Sequence, residues 1–398
     1  MADEFRLVLS VSLKEEYNDN IYIDVRNPTR DFITTTSPGV EVYDKTERFE
    51  GSLTGRVASL LYADTSSLDH LDQFYAGNGS YQATPSLLVK GSAGYVVDSR
   101  PDRLLLTTGL VLSANIRHQE TFAGSADYAL GEKSALSFSY SYEQDLWNRT
   151  TIPDFTGNTG QLSFIYDLSS LVNNTKGRAT VTYNNYSFDV GGSQSIPVES
   201  YSATLGATTA FNEKLVLNID AGVVRTTSDV TRVQLVTVGP FLLGFLQQGT
   251  ETDVAPMATA SLRYSGEKTT AELFAGHQVL PAMGSAGTTN RTSFTFNASH
   301  RLTWELSGTL ACGYFYNNST QSGIGISPID YETLSIAPGF RYEFTRDLFL
   351  EGSYSFIRIY NNAANGTGFG ITTNGPSRTT ASRNLFMLSL TVKHRLFE

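Results

Sequence analysis

From Gly131 to Glu143 a polar turn, Gly131-Glu132-Lys133, gives way to strict alternation. Leu136, Phe138, Tyr140 and Tyr142 fall on one face of an extended chain, and Ser137, Ser139, Ser141 and Glu143 on the other. The same rhythm opens the chain, with Phe5, Leu7, Leu9, Val11 and Leu13 against Arg6, Ser10, Ser12 and Lys14. It recurs as Phe49, Leu53 and Val57 against Arg48, Glu50, Ser52, Thr54 and Arg56, and as Phe294, Phe296 and Ala298 against Ser293, Thr295 and Asn297. It closes the chain as Phe386, Leu388, Leu390 and Val392 against Met387, Ser389, Thr391 and Lys393. One such strand suits a soluble sandwich as well as a membrane barrel. Repetition, and what separates the copies, distinguishes them.

Short turns recur at 44–47, 84–85, 131–133, 173–177, 212–214, 266–268, 303–305 and 345–347. Between them lie longer stretches rich in Asn, Asp, Gly, Ser and Thr, at 64–70, 98–108, 145–158, 227–253, 317–330 and 361–382. Short turns on one edge and long loops on the other, with about eighteen strands of roughly ten residues, predict an all-β fold. The expectation is a single antiparallel transmembrane β-barrel of about eighteen strands, with short periplasmic turns and long extracellular loops. One domain then spans residues 1–398. The elements Ser37-Pro38-Gly39, Ala255-Pro256-Met257 and Ala337-Pro338-Gly339 predict bulges near strand starts, because proline cannot donate to a ladder.

Composition sharpens this reading. The chain holds 21 Tyr, 23 Phe and 34 Gly against 4 Met and 1 Cys, a strand-forming and girdle-forming mixture. No run of about 18 apolar residues occurs, which excludes a membrane-spanning helix and leaves a barrel as the only spanning option. A net charge of −10 excludes nucleic acid as a partner. Met1-Ala2-Asp3-Glu4 runs almost directly into the first strand, as in a chain whose export signal has been replaced.

Candidate chemistry is sparse. His70, His118, His277, His300 and His394 stand apart, with no Cys or carboxylate at metal-ligand spacing, so no metal or cofactor is expected. Cys312 alternates with Leu310 and Tyr314 and reads as a small apolar residue. No Gly-x-Ser-x-Gly elbow or Ser/His/Asp constellation stands out, and an enzyme is not expected.

The inward faces say more. Strand parity directs Arg6, Lys14, Arg48, Arg56, Lys90, Arg117, Arg263, Arg301, Arg341 and Lys393 to the lumen. It also sends Glu16, Glu50, Glu143, Asp167, Asp220, Glu272, Glu343 and Glu351 there. Balanced signs give a wet pore without strong ion selectivity, or side chains that pair with one another. The apolar stretch Val233–Leu246 breaks the loop pattern. Its readings are strand tips around a Gly-Pro turn, a constriction built from Val238, Pro240, Phe241 and Phe245, or a docking patch for a partner. Phe397 resembles the aromatic signal read by the outer-membrane assembly machinery, although Glu398 follows it and strict parity puts it on the face of Lys393 and Arg395.

Two stretches resemble a known family. They are Asp98-Ser99-Arg100-Pro101-Asp102-Arg103 with Thr107-Thr108-Gly109-Leu110-Val111, Tyr128-Ala129-Leu130 and Gly131-Glu132-Lys133, and Glu16-Tyr17-Asn18-Asp19-Asn20-Ile21 with Asp31–Thr35 and Ser37-Pro38-Gly39. The family is that of bacterial outer-membrane β-barrels associated with exopolysaccharide biosynthesis and export loci, including exosortase-linked ones. The resemblance covers about the first third of the chain and implies an outer-membrane conduit for a secreted polysaccharide. Its implied partners are the lipid bilayer, the assembly machinery, the polysaccharide and periplasmic export proteins. The other readings are a general small-solute diffusion porin and a structural sleeve around a periplasmic partner such as a multihaem cytochrome. The chain has no Cys-x-x-Cys-His and could only be the sleeve.

Overall fold

The computed structural model describes residues 4–100, 115–148, 152–190, 195–238, 241–282, 286–319, 329–362, 367–368, 371–372 and 379–397, with backbone alone for 230–246, 367–368 and 371–372. Eighteen strands form one closed sheet. They are β1 (Glu4–Asn18), β2 (Asp31–Lys45), β3 (Phe49–Tyr62), β4 (His70–Thr84), β5 (Leu87–Asp98), β6 (Arg117–Ala129), β7 (Ser134–Trp147), β8 (Asp154–Asp167) and β9 (Thr175–Asp189). The second half comprises β10 (Ser195–Asn212), β11 (Leu215–Val238), β12 (Phe241–Ser265), β13 (Thr269–Pro281), β14 (Thr288–Arg301), β15 (Leu306–Ser319), β16 (Ile329–Glu343), β17 (Leu348–Asn361) and β18 (Thr379–Phe397). Each pairs antiparallel with the next, and β18 returns to pair with β1 from Asn18↔Leu385 to Leu7↔Phe397. The result is an all-β antiparallel barrel with short turns at one end, the turn end, and longer connections at the other, the loop end.

Alternation dictates which face each residue takes. Leu9, Val11, Leu53, Phe138, Leu205 and Leu388 lie exposed on the outer wall. Along β1 the outward apolar positions run from Phe5 to Leu13, eight steps of about 3.3 Å. Those nine residues, Phe5 to Leu13, are the length that a tilted strand needs to cross a hydrocarbon core. Aromatic pairs flank the band. Phe5 with Phe397 and Tyr342 with Phe344 lie towards the turn end, and Tyr17 with Phe32, Tyr183 with Tyr201 and Tyr354 with Phe386 towards the loop end. Beyond it the outer wall turns polar, where Thr34 donates to Glu15 at 2.9 Å.

Four details depart from the simple pattern. Arg48 lies in the turn between β2 and β3, not on the lumen wall. The stretches 227–238 and 241–253 are strand rather than loop, as the strand-tip reading expects, because β11 and β12 pair continuously to Val238↔Phe241. β10 follows β11 only to Ser228 and β13 joins β12 only at Ala258, so the tip of this hairpin is a two-stranded ribbon rising past its neighbours. Val238, Phe241 and Phe245 belong to that ladder, and Pro240 lies outside the described residues.

Pro38 and Pro338 make no bulges. Pairing with the following strand lapses between Thr36↔Ser59 and Gly39↔Arg56, and between Ile336↔Phe356 and Gly339↔Ser353, then resumes in the same register. A missing N–H removes hydrogen bonds but adds no residue to the strand. A true irregularity closes the chain instead. Arg395 pairs with Val8 and Phe397 with Leu7, so the extra residue turns Phe397 out to the lipid face, with its ring 6.3 Å from that of Phe5.

The two faces differ in what they tolerate. Leu53→Arg, on the outer wall, is expected to lower folding stability in lipid by about 2–4 kcal/mol. Thr54→Arg, one residue along and facing the lumen, should cost well under half of that. Chemical denaturation of barrels folded into liposomes measures both.

Candidate functional site

Towards the turn end, inward charges are paired and exposed. Arg6 binds Glu4 at 2.9 Å and lies over the Tyr43 ring, and Lys90 binds Asp127 at 2.9 Å. Arg341 binds Glu343 at 3.0 Å and Glu351 at 3.4 Å while its guanidinium covers the Phe349 ring, with Lys393 beside the same ring. Arg263 and Glu272 are registered neighbours on β12 and β13. Arg301 sits at the rim with its guanidinium 6.0 Å from the centre of the Trp304 ring.

Deeper in, the wall of β7 to β13 is hollowed. A cavity of about 440 Å³ is lined by Ser137, Gln161, Ser163, Ile165, Arg178, Thr180, Thr182, Ser202, Thr204, Asp220, Met257, Thr259 and Gln278, with Ala258 at its edge. Its one ion pair explains the shape. Arg178 on β9 pairs with Gly206 on β10, and Gly206 pairs in turn with Asp220 on β11. The guanidinium therefore reaches across a strand with no side chain in the way, donating from Nε (3.2 Å) and Nη2 (2.6 Å) to Asp220 Oδ1. A Cβ at Gly206 would lie 2.0 Å from that oxygen and 2.7 Å from the Ile219 carbonyl. One row higher, a Cβ at Gly222 would meet the Ala203 carbonyl at 2.0 Å. Glycine keeps both rows low.

The loop end is packed. Inward Phe155, Phe188, Ile196 and Val198 on β8 to β10 form one apolar cluster with Ala286, from the β13–β14 connection. Across the lumen, Ile329, Tyr331, Ile357, Ile359 and Ala381 on β16 to β18 form another, and it holds Ala282 from the same connection and Ile23 from the β1–β2 connection. Ala282 and Ala286, four positions apart and so at most about 14 Å from each other, thus sit in clusters on two separate walls. Ile21 packs against Ile33, Ala58, Leu60 and Tyr62 on β2 and β3. Ile23 is held at φ 54°, costly for a β-branched residue, where Asn20 Nδ2 donates to the Asp24 carbonyl and Asn20 Oδ1 accepts the Asp24 N–H, both at 2.9 Å. Backbone N–H groups of Asn27 and Arg26 hold the Asp24 carboxyl below its usual range.

Buried charges complete the packing. Arg117 binds Asp98 at 2.7 Å and faces Asp145 at 3.7 Å, Gln119 donates to Glu143 at 2.7 Å, and Glu16 binds both Lys14 at 3.0 Å and Arg100 at 2.7 Å. Arg100 follows β5 and Glu16 lies on β1, so this contact also crosses the lumen. Arg56 covers the Phe74 ring.

The expected lumen residues are thus dispersed along the axis. Arg117, Glu143, Lys14 and Arg56 lie in the loop half, Asp220 in the hollow, and Arg6, Lys90, Arg263, Glu272, Arg341 and Arg301 nearer the turns. Arg178 was missed, although Lys176, Arg178, Thr180 and Thr182 alternate legibly with Ala179 and Val181. Arg291, which donates to Asn317 at 2.8 Å, lies two residues before the inward Ser293 on the same face. Among the described residues no group of His, Cys, Asp or Glu could hold a metal ion.

No protein-family model matches the chain, and no curated protein matches it. Among solved structures it is similar to the ferric-catecholate import receptor Fiu from E. coli K12 in its open form (7% identity, TM-score 0.48, 98% of this chain and 82% of that one). It is also similar to OccK2 (OpdF) from Pseudomonas aeruginosa (10%, 0.47, 99% of each chain) and to the copper transporter OprC (9%, 0.43, 98% and 83%). Similarity at this level fixes neither family nor function.

Gly206→Ala should lower stability by about 1–3 kcal/mol, because the new methyl group meets backbone as well as the Asp220 carboxylate. Gly160→Ala, with nothing within 4 Å of the added atom, is the control. Denaturation midpoints in detergent compare the two, and equal midpoints would contradict the crowding at Gly206.

Proposed function

We propose that the protein is a bacterial outer-membrane channel for a hydroxyl-rich solute, in the first place an exopolysaccharide leaving the cell, and that its outer mouth is gated. In this orientation the short turns face the periplasm and the long loops the outside. The observation that carries the reading is the contrast along the lumen axis. The inner part is wide, polar and exposed, while the outer part is packed with apolar side chains and two inward-folded connections. Ion pairing supports passage of an uncharged polymer, since matched charges create little net field across the pore. The resemblance to exopolysaccharide-associated barrels favours a polymer over a small solute. A periplasmic export assembly would deliver it to the turn end.

The gate makes the reading testable. Wild-type barrel in planar bilayers should show low and intermittent conductance. Ala282→Asp with Ala286→Asp places carboxylates in both apolar clusters, where burial without a partner costs several kcal/mol. The connection should then leave the lumen, and mean conductance should rise at least several-fold. A double variant as closed as the wild type would refute the gate, and a large steady wild-type conductance with free permeation of small sugars in liposome swelling would instead make the protein a diffusion porin.

A further inference from the structure

We infer that the hollow on the β7–β13 wall is a binding subsite for a neutral saccharide unit, seated over the Arg178–Asp220 pair; this rests on the channel reading for how the sugar arrives. Four observations converge on that ligand class. The volume, about 440 Å³, lies within the range of small-ligand sites. The charge is matched, because Arg178 is neutralised by Asp220 and the adjoining Asp127 by Lys90, leaving no excess sign to hold a phosphate or polyanion.

Polar capacity is unspent. Thr182, Ser202, Thr204, Thr259 and Gln278 all line the hollow, and among the described residues none of their side chains has a hydrogen-bond partner. Two other lining groups satisfy one another, Ser163 and Thr180 at 2.8 Å. A sugar ring offers both donors and acceptors at this density, and Asp220 and Arg178 present an acceptor and a donor fork side by side, which suits two adjacent hydroxyls. Met257 and Ile165 supply apolar contact for the C–H face of a ring. The recess exists because glycine at 206 and 222 keeps side chains out of it.

Calorimetry on the full-length, detergent-purified barrel tests this with maltohexaose, cellohexaose and isomaltohexaose as neutral probes and hexagalacturonate as the charged one. At least one neutral hexamer should bind saturably, and hexagalacturonate at least tenfold more weakly. Thr204→Val with Thr259→Val removes two hydroxyls while keeping side-chain shape and should weaken the neutral probe about tenfold. Arg178→Gln with Asp220→Asn should do the same, and heat-modifiable migration shows whether each variant has folded. Absence of binding by all three neutral hexamers, preference for hexagalacturonate, or unchanged affinity in the folded Thr204→Val, Thr259→Val barrel would overturn the subsite. Conductance of the Ala282→Asp, Ala286→Asp barrel is independent of these side chains. An opened barrel that conducts without binding sugar sinks the subsite alone, whereas one that binds sugar yet never conducts sinks the channel.

Discussion

Inside a bilayer nothing solvates a bare N–H or C=O, so a spanning sheet has to close on itself. Everything else in this molecule follows from the β1–β18 seam that closes it. The seam requires the first and last strands to run antiparallel, and both outer ends of the sheet then fall at the turn end. It also requires the final residues to fit a wall already fixed in register, and the irregularity at Leu396 accommodates that. Without it Phe397 would point into the lumen beside Arg395; with it, the ring joins Phe5 on the lipid face.

Closing eighteen strands creates an interior too wide for wall side chains to fill. Different heights resolve this in different ways. Near the turns the interior stays wet, and charged side chains pair or cover aromatic rings. At the loop end, connections fold inward and bury Phe188, Val198 and Ile357 almost completely. Each such side chain contributes about 1.5–3 kcal/mol, enough to offset the strained backbone at Ile23. Between the two, glycine rows hollow the wall instead of filling it.

Strand parity was legible because lipid on one side and water on the other impose period two on nearly every strand. The turns were legible for a related reason, since a tight turn needs Gly, Asn or Asp at particular positions. Arg48 was misplaced because the alternation of β3 was carried one residue too far, into the turn. The 227–253 stretch counts among the long connections by its polar flanks, yet the strand tips read in its apolar centre are what the ladder from Val233↔Leu246 to Val238↔Phe241 shows, because a free ribbon satisfies its backbone by pairing with itself. The packed mouth could not be read at all. Ala282 and Ala286 are unremarkable in sequence, and only the closed sheet brings β8–β10 and β16–β18 within reach of one short connection. Nor does sequence reveal that Gly206 stands between Arg178 and Asp220, since that row is set by register across three strands.

One continuous ladder joins the hollow to the packed mouth. Along β9 the inward face runs Arg178, Thr180, Thr182, Asn184, Tyr186 and Phe188, polar in its lower half and aromatic in its upper half, so one strand carries both the hollow and part of the packed mouth. Its ladder to β10 is unbroken from Thr175↔Thr209 to Asp189↔Ser195. Widening the mouth by bending the strand would break several of those hydrogen bonds at once. Ala282 and Ala286 each bury one methyl group in the clusters at the mouth, worth about 0.8 kcal/mol apiece. The unbroken ladder between β9 and β10 fixes the shape of the hollow.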